Sequence, residues 1–281
     1  MKILLTGSTG FIGSSVYKEL SKDNELYLIF RNKKKIKNKL NSKIIFFKNY
    51  NELNRKLKKI RVNLVIHAAT HYKKNHSSND INKFAESNLL LGNIILENLN
   101  TMKVKKYINF STVWEDYDGI KNNFFNLYAV YKNAFSNIIK YYEKKNQHIQ
   151  FFNIIISDTF GKNDKRKKII NLLKKNYKKK KVTKIISKNL YLNLLNVKDI
   201  VNALILIKNQ SINSGSYVLK NSKNIRIFDL IKKINENSEK KIFVKWQSKK
   251  IIKSKIYPYQ KLSDWKPVRS GITEIVNLIK S

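Results

Sequence analysis

The stretch Thr6-Gly7-Ser8-Thr9-Gly10-Phe11-Ile12-Gly13 decides the fold of this 281-residue chain. It follows an apolar segment, Lys2 to Leu5, that predicts a first strand, and it opens a helical pattern that extends to about Ser21. Its glycines permit a tight turn, let backbone amides approach a pyrophosphate, and let the helix pack closely on the strand. The helix N-terminus adds unpaired N–H groups and a partial positive charge. The stretch therefore predicts a dinucleotide-binding turn, and the alternative is an ordinary glycine turn.

Strand-like and helix-like segments alternate along the first half of the chain. Strands are predicted at Leu26 to Phe30, Ile44 to Phe47, Leu64 to His67, Tyr107 to Ser111 and Phe151 to Ile156, and helices at Asn82 to Asn98 and Leu127 to Lys144. Such alternation is typical of a parallel sheet that is covered by helices on both faces. We therefore predict the α/β class, with a Rossmann-type doubly wound parallel sheet over residues 1–157.

The alternation weakens after about residue 157, where a segment rich in Lys and Asn, Gly161 to Lys188, follows. Further strands are predicted at Tyr191 to Leu195 and Tyr217 to Leu219, and further helices near Asp199 to Ile207 and Ile227 to Asn235. No Pro/Gly/Ser-rich linker separates the two parts. We expect residues 158–281 to form a smaller substrate-binding part, some of whose segments return to the first part.

Composition excludes several classes of protein. The absence of cysteine excludes a disulfide scaffold, a cysteine nucleophile and any metal site built on thiolates. The histidines show no metal-site spacing, so no metal is expected. The apolar runs are far shorter than the roughly 18 to 20 residues that span a bilayer, and the N-terminus lacks the pattern of a secretion signal. We therefore expect a cytoplasmic protein without membrane segments.

The formal charge of +39 would ordinarily suggest a nucleic-acid partner. Nearly all of this charge is Lys, scattered along the chain beside equally abundant Asn and Ile, which is the bias of an AT-rich coding sequence. A solvated lysine surface is therefore the favoured interpretation, and nucleic acid is not expected as a partner.

The second predicted strand ends at Phe30-Arg31-Asn32-Lys33, where enzymes that use NAD place Asp or Glu on the ribose 2′-hydroxyl. This stretch contains no acidic residue. Arg31 is of the type that pairs with a 2′-phosphate, so the sequence favours NADPH over NAD as the cofactor. The alternative is that Arg31 is one more surface cation.

Tyr128-Ala129-Val130-Tyr131-Lys132 places a tyrosine and a lysine four positions apart. In a helix such a pair lies on one face, about 6 Å apart, so the Lys132 ammonium is expected to lower the phenol pKa and to reach a cofactor ribose. Tyr128 would then serve as proton donor and acceptor. Tyr141 and Lys145 repeat the spacing by chance. Tyr128 is favoured because it follows Ser111-Thr112, a strand end that can offer a hydroxyl to a carbonyl substrate.

With these motifs the chain resembles the extended short-chain dehydrogenase/reductases of the NAD(P)-dependent epimerase/dehydratase family, which act on nucleotide-diphosphate sugars. The resemblance covers essentially the whole chain, through the glycine motif, Val65-Ile66-His67-Ala68-Ala69-Thr70, Ser87-Asn88-Leu89-Leu90, Ser111-Thr112, Tyr128 with Lys132, Asp158-Thr159-Phe160-Gly161, Asn196-Val197-Lys198-Asp199 and Trp265-Lys266-Pro267. It implies a Rossmann fold, a nicotinamide cofactor and a nucleotide-diphosphate sugar as substrate.

The resemblance also implies roles for single residues. The catalytic residues would be Thr112, Tyr128 and Lys132. The cofactor-binding residues would be Gly7, Thr9, Gly10, Phe11, Ile12, Gly13, Arg31, Ala68, Ala69, Thr70, Asn88 and Lys132. The family commonly dimerises through a four-helix bundle, here made from the helices predicted at residues 82–98 and 127–144, so we expect a homodimer.

Departures from the family pattern narrow the expected reaction. In the family's 4,6-dehydratases the threonine is followed by Asp-Glu, whereas Thr112 is followed by Val113-Trp114, so dehydration is not expected. The family's epimerases hold NAD tightly and its reductases consume NADPH, so Arg31 favours a reductase. Residues 126–132 also resemble those of enzymes that reduce CDP-4-keto-6-deoxyhexoses.

The expected reaction is therefore NADPH-dependent C4 reduction of a nucleotide-linked 4-keto-6-deoxy sugar, in the synthesis of surface-polysaccharide sugars. An NAD-dependent C4 epimerase is the alternative. A non-catalytic protein that binds a dinucleotide or RNA is a second alternative.

Four residues are candidates for the substrate side. Asp158 stands where the family commonly has Asn, and Arg166 is of the type that clamps a diphosphate, because a guanidinium pairs with phosphate oxygens in a fork. A loop cation is the alternative for Arg166. His71 and Trp114 lie just beyond cofactor-side strands and are expected to face the sugar, whereas His67 lies inside a strand and is expected to pack in the core.

Overall fold

A computed structural model describes residues 1–33 and 42–281. Its main sheet contains β1 (Lys2–Thr6), β2 (Glu25–Phe30), β3 (Ser42–Phe46), β4 (Leu64–His67), β5 (Lys106–Thr112), β6 (Gln150–Ile156) and β11 (Gly215–Leu219). These seven strands lie in the order β11-β6-β5-β4-β1-β2-β3, and every neighbouring pair is parallel. The sheet is therefore the Rossmann-type doubly wound sheet that the sequence predicts.

Helices cover both faces of this sheet. The helices of the described residues are α1 (Phe11–Leu20), α2 (Tyr50–Leu57), α3 (Ile81–Ala85), α4 (Leu91–Glu97), α5 (Leu127–Lys145), α6 (Ile169–Lys179), α7 (Val197–Asn209), α8 (Ile227–Glu236) and α9 (Ile272–Lys280). On one face of the sheet lie α1 and α7, and on the other lie α2, α4 and α5. A π-helical turn, Glu86–Leu90, joins α3 to α4. Leu4 of β1 packs with α2, α4 and α5, whereas Ile3 and Leu5 pack with α1 and α7. Successive residues of a strand face opposite sides, so burial on both sides explains why β1 is apolar at consecutive positions.

Smaller sheets form the rest of the C-terminal part. β7 (Asp158–Phe160) pairs with β10 (Leu194–Asn196), β8 (Thr183–Ile185) pairs with β13 (Val244–Trp246), and β9 (Leu190–Leu192) lies between β12 (Ile225–Arg226) and β14 (Ile252–Lys253). Residues of α6, α8 and α9 form an apolar cluster with these strands, separate from the two clusters on the main sheet. The division at residue 157 stays a prediction, and β11 returns to the main sheet beside β6.

Several segments differ from the sequence-based expectation. The strand predicted at Tyr191 to Leu195 is two strands, interrupted at Asn193, whose side chain bonds to the backbone O and N–H of Asn221 at 3.0 and 2.9 Å. The elements that were not predicted from the sequence are the helices α2, α6 and α9 and the short strands β7, β8, β12, β13 and β14.

Within the described ranges, no helix combines the length and the apolar character that crossing a lipid bilayer requires.

Candidate functional site

A cavity of about 450 Å³ opens at the carboxyl edge of the main sheet. Because all strands are parallel, β1, β2, β4, β5 and β6 end at this same edge, and ligands of such sheets bind there. Many of the residues predicted to form the site line this one cavity: Gly7, Thr9, Gly10, Phe11, Ile12, Gly13, Arg31, Ala68, Ala69, Thr70, Thr112, Trp114, Tyr128, Asp158 and Arg166. The structure thus brings the glycine turn, the two candidate catalytic hydroxyls and the candidate phosphate-binding arginine to one place.

The glycine turn leaves no room for side chains at two positions. Gly7 has φ +68°, and a Cβ there would lie 2.6 Å from the backbone of Ala68 and Ala69. A Cβ on Gly13 would lie 2.1 Å from the Gly7 carbonyl oxygen. The turn therefore presents bare backbone in front of the N-terminus of α1, where N–H groups are unpaired. This cradle fits the pyrophosphate of a dinucleotide.

A chain of hydrogen bonds holds the ends of β1 and β4 together beneath the turn. The Ala69 N–H donates to the Thr6 hydroxyl at 3.0 Å, and Thr6 Oγ1 lies 3.0 Å from His67 Nδ1. His67 is buried, as the sequence indicates. Burial, with a smaller contribution from the charge of Lys132, lowers the pKa of His67 to about 3. His67 is therefore a neutral packing residue, hydrogen-bonded to Thr6, throughout the physiological range.

This neutral histidine should make stability depend on pH. In the unfolded chain His67 takes up a proton below about pH 6.5, whereas in the folded chain it does so only near pH 3, so acid favours the unfolded state. We expect the free energy of unfolding of wild type to lose about 1.5 kcal/mol, relative to that of His67→Gln, between pH 6.5 and pH 5. Urea denaturation of both proteins over this range measures the difference, and a difference that does not change with pH would contradict the assignment.

The two candidate catalytic hydroxyls enter the cavity from β5 and α5. Thr112 is the last residue of β5, and its Oγ1 accepts the Trp114 N–H at 3.3 Å, which leaves its own O–H to be donated to a ligand. Tyr128 lies in the first turn of α5, whose N-cap, Asn126, accepts the Ala129 N–H at 3.1 Å. The Tyr72 ring meets the Tyr128 ring edge to face at 5.2 Å. Aromatic packing and the helix cap therefore fix where the phenol points.

The electrostatic expectation for Tyr128 is wrong in direction. Burial raises the pKa of Tyr128 above its usual range, and the counteracting influences are a hydrogen-bonding contact with Thr70 and the charge of Arg166 rather than that of Lys132. The phenol therefore keeps its proton at neutral pH.

Lys132 lies one turn after Tyr128 on α5 and is 3% exposed. Burial lowers the pKa of its ammonium group, and the carboxylate of Glu115 opposes that shift. Glu115 is buried as well, and burial raises its pKa. Lys132 is not among the residues that line the cavity, so its contact with a ribose stays a prediction.

Asn88 and His71 order the loop after β4. The Asn88 carbonyl oxygen accepts from the His71 N–H at 2.7 Å and from the Thr70 hydroxyl at 3.1 Å. The Asn88 amide donates to the His71 carbonyl at 3.1 Å. The His71 ring lies 3.2 Å from a carboxylate oxygen of Asp80. Neither Asn88 nor His71 lines the cavity in the described part of the chain, and their contacts with ligands stay predictions.

Two cations approach the cavity from the loop before α6. The Arg166 guanidinium lies 4.2 Å from the centre of the Phe11 ring and is held by Asp164 at 2.8 Å and by the Thr159 hydroxyl at 2.7 Å. Lys168 pairs with Asp158 at 2.8 Å and lies 5.0 Å from the centre of the Trp114 ring. Both cations are therefore positioned to meet negative charge between the glycine turn and Trp114.

Sequence reasoning missed several residues that line this cavity, among them Tyr72, Ser157 and Lys168. Lys168 was hidden in a run of cations, and no local pattern separates it from the exposed Lys167. Tyr72 follows the fourth strand by five positions, which is a weak signal. The Ser157 hydroxyl oxygen is buried and has no hydrogen-bond partner among residues 1–33 and 42–281, so it is free for a ligand.

The two acidic residues after Trp114 are held by contacts of their own. Asp116 is 7% exposed and accepts from the Tyr259 hydroxyl and the Asn122 N–H, both at 2.5 Å. Glu115 is 5% exposed, and one of its oxygens lies 3.5 Å from the Asn133 amide. Both acidic residues are therefore buried outside the wall of the cavity that the described residues form.

Arg31 lines the cavity from the end of β2. Its guanidinium lies 3.1 Å from a carboxylate oxygen of Glu86 and donates to the Ser87 hydroxyl at 2.7 Å.

Comparison with known proteins gives relatives of named activity. The chain is 30% identical over 221 residues to the CDP-abequose synthase of Yersinia pseudotuberculosis, which covers 77% of this chain and 76% of that protein. It is 25% identical over 246 residues to the CDP-abequose synthase of Salmonella muenchen, covering 85% of this chain and 82% of that protein.

A solved structure shares the fold over nearly the full length. The UDP-glucuronic acid 4-epimerase of Bacillus cereus, solved with UDP-glucuronic acid and NAD, has a TM-score of 0.75 to this chain at 19% identity, over 100% of this chain and 99% of that one. The model of the NAD dependent epimerase/dehydratase family matches residues 3–219. With the parallel sheet, the glycine cradle and the Thr112 and Tyr128 hydroxyls in one cavity, this match shows that the chain belongs to the NAD dependent epimerase/dehydratase family.

Proposed function

We propose that this protein is an enzyme that reduces C4 of a nucleotide-linked 4-keto-6-deoxy sugar with NADPH. One observation carries the proposal: the glycine cradle, Thr112 and Tyr128 line the same cavity. Both relatives named above are CDP-abequose synthases, which supports a reductase of CDP-linked sugars. The position of Arg31 in the cavity wall supports the phosphorylated coenzyme.

The side chains around the cavity have separate roles in such a reduction. A bound nicotinamide coenzyme supplies the hydride, and the protein supplies position and electrostatics. Tyr128 donates its phenolic proton to the carbonyl oxygen as that oxygen becomes an alkoxide, which yields the alcohol. The Thr112 O–H donates a hydrogen bond to the same oxygen and orients it. Lys132, on the next turn of α5, would hold the nicotinamide ribose of a bound coenzyme.

The phosphates of the substrate would meet the cations of the C-terminal part. Arg166 and Lys168 line the cavity, where Arg166 lies over the Phe11 ring and Lys168 lies over the Trp114 ring. Each already has an acidic partner, Asp164 or Asp158, which holds the cation in place. A diphosphate can therefore bind to side chains that are already ordered.

An NAD-dependent C4 epimerase is the second candidate. The 4-epimerase of similar fold was solved with NAD, and Arg31 here is already paired with Glu86, which weakens its pull on a 2′-phosphate. An epimerase returns the hydride to its own substrate and needs no added reductant, whereas a reductase consumes one NADPH for each product formed.

Assays of the purified protein distinguish the reductase from the epimerase. We expect it to carry no tightly bound NAD and to oxidise NADPH in proportion to a CDP-4-keto-6-deoxyhexose supplied by a dehydratase. Bound NAD on purification, with interconversion of a nucleotide sugar and its C4 epimer without added reductant, would establish the epimerase. Failure to bind either coenzyme would reject both candidates.

We further propose a homodimer, assembled through the outer faces of α3, α4 and α5. Exposed apolar side chains lie on this surface: Ile81, Leu90, Val130 and Tyr141. Light scattering at micromolar concentration should give twice the 33.1 kDa chain mass. Val130→Glu should shift the mass toward that of the monomer, whereas Ile44→Glu, an equally exposed position on the edge strand β3, should not. A monomeric wild type would contradict the proposal.

A further inference from the structure

Arg31 is held by three residues from other elements. Its Nη1 lies 3.1 Å from a carboxylate oxygen of Glu86 and 3.4 Å from the Tyr50 hydroxyl, and its Nη2 donates to the Ser87 hydroxyl at 2.7 Å. The Tyr50 hydroxyl also donates to the Glu86 backbone oxygen at 3.2 Å, which ties α2 to the same point. Arg31 therefore sits in a built network rather than in open solvent.

An acidic side chain from another part of the chain, Glu86, lies beside Arg31, although Glu86 itself is not among the described residues that line the cavity. In NAD enzymes of this fold, an acid at the end of the second strand accepts a hydrogen bond from the ribose 2′-hydroxyl. Here Arg31 directly follows the last residue of that strand, and the carboxylate beside it belongs to Glu86, the first residue of the π-helical turn after α3. Ser87, the next residue, is 5% exposed and lines the cavity. A π-helical turn inside a helix frequently marks a functional site.

We propose, resting on the coenzyme site of the proposed function, that Glu86 determines coenzyme selectivity by neutralising Arg31 and placing a hydrogen-bond acceptor beside it. Glu86 thereby reduces the advantage that Arg31 gives to a 2′-phosphate over a 2′-hydroxyl.

Charge explains the direction of the effect. A coenzyme 2′-phosphate adds about two negative charges at neutral pH, and it would bind next to the Glu86 carboxylate as well as next to Arg31. The two like charges repel, and the repulsion offsets part of the attraction to the guanidinium. A 2′-hydroxyl is neutral and can donate to a carboxylate, so Glu86 opposes NADP(H) and tolerates NAD(H).

Arg31 has more N–H donors than its contacts with the described residues use. A guanidinium has five N–H donors, and the contacts with Glu86, Tyr50 and Ser87 use three of them. Among the residues that the structure describes, the Nε–H and one Nη2–H have no acceptor. A 2′-phosphate can therefore bind without displacing Glu86, and its affinity is set by the charge balance of the pair.

The test is a comparison of two dissociation constants in four proteins. NADPH and NADH are each titrated into wild type, Glu86→Gln, Glu97→Gln and the double variant Arg31→Met/Glu86→Gln, with binding read from tryptophan fluorescence, because Trp114 lines the cavity. Glu97 is the matched control. The substitution Glu97→Gln removes the same charge at α4, about 16 Å further along the helix axis. The Glu97 carboxylate accepts a hydrogen bond from the Tyr142 hydroxyl at 2.7 Å.

We expect Glu86→Gln to tighten NADPH binding by about three- to tenfold and to leave NADH binding within about threefold, since both groups of the ion pair are partly exposed. Glu97→Gln should leave the ratio of the two constants as in wild type. The double variant should lose the gain, because Glu86 acts through Arg31.

The possible outcomes distinguish a failure of the role given to Glu86 from a failure of the proposed function. An unchanged NADPH-to-NADH ratio in Glu86→Gln, with wild type binding both coenzymes, would overturn the role of Glu86 and leave the enzyme assignment standing. The same change in the NADPH-to-NADH ratio in Glu97→Gln would mean that net charge alone causes the effect. That result would also overturn the role of Glu86. Absence of binding by wild type would overturn the proposed function and the inference together.

Discussion

Tyr128→Phe should lower kcat by about 10²- to 10⁴-fold, the usual contribution of a positioned general acid. The phenyl ring keeps the packing against Tyr72 and the other contacts of the ring, so only the phenolic proton is lost. Because burial raises the pKa of Tyr128, the wild-type phenol stays protonated well above neutral pH and remains a donor there. Steady-state NADPH oxidation measures the loss, and fluorescence titration of NADPH should show a dissociation constant within about twofold of wild type.

Tyr141→Phe is the control for this variant. Tyr141 belongs to the other Tyr-x-x-x-Lys pair of α5, and its side chain is 61% exposed, away from the cavity. The same chemical change there should leave kcat unaltered. Equal turnover of wild type and Tyr128→Phe would reject Tyr128 as the proton donor, and with it the reduction mechanism.

Gly13→Ala should destabilise the protein by about 3 kcal/mol and abolish coenzyme binding. The new Cβ would lie 2.1 Å from the Gly7 carbonyl oxygen, and that oxygen belongs to backbone that is itself held at φ +68°. Neither partner is a flexible side chain, so the turn and the N-terminus of α1 must move apart. The cradle for the pyrophosphate is lost in that movement. Urea denaturation gives the free energy of unfolding, and titration with NADPH gives the binding.

Gly271→Ala is the control for Gly13→Ala. Gly13 lies in the first turn of α1, and Gly271 is the N-cap of another helix, α9, where a Cβ has no heavy atom within 4 Å. Its cost should stay within about 1 kcal/mol. If Gly13→Ala were as mild as Gly271→Ala, close approach of α1 to the turn would not be what Gly13 provides.

The elements that could be predicted from the sequence are those whose signal is local. The strands of the main sheet are apolar at consecutive positions because both faces are buried, and α5 has a clear helical period, so both appear close to their predicted bounds. The helix α2 has eight residues and buries only Leu53 and Leu57. Such a short helix depends on tertiary packing for its stability, which local pattern does not reveal.

The properties of the candidate site likewise fall into those set by local motifs and those set by distant residues. The glycine turn, Thr112 and Tyr128 belong to short motifs, and their prediction needed no knowledge of distant residues. The pKa of Tyr128 depends instead on how deeply the fold buries it and on Arg166, a residue of the C-terminal part. The direction expected from the nearby Lys132 was wrong because burial outweighs a single neighbouring charge.

The sequence by itself determined the α/β class, the dinucleotide-binding turn and the residue types that surround the cavity, because apolar period and glycine spacing are properties of consecutive residues. Only the tertiary structure decided which lysine of the run before α6 meets Asp158, and that Arg31 is paired with Glu86, 55 positions further along the chain. Such pairs form where parallel strands and helices end at a common edge, and that edge exists only after the sheet is assembled.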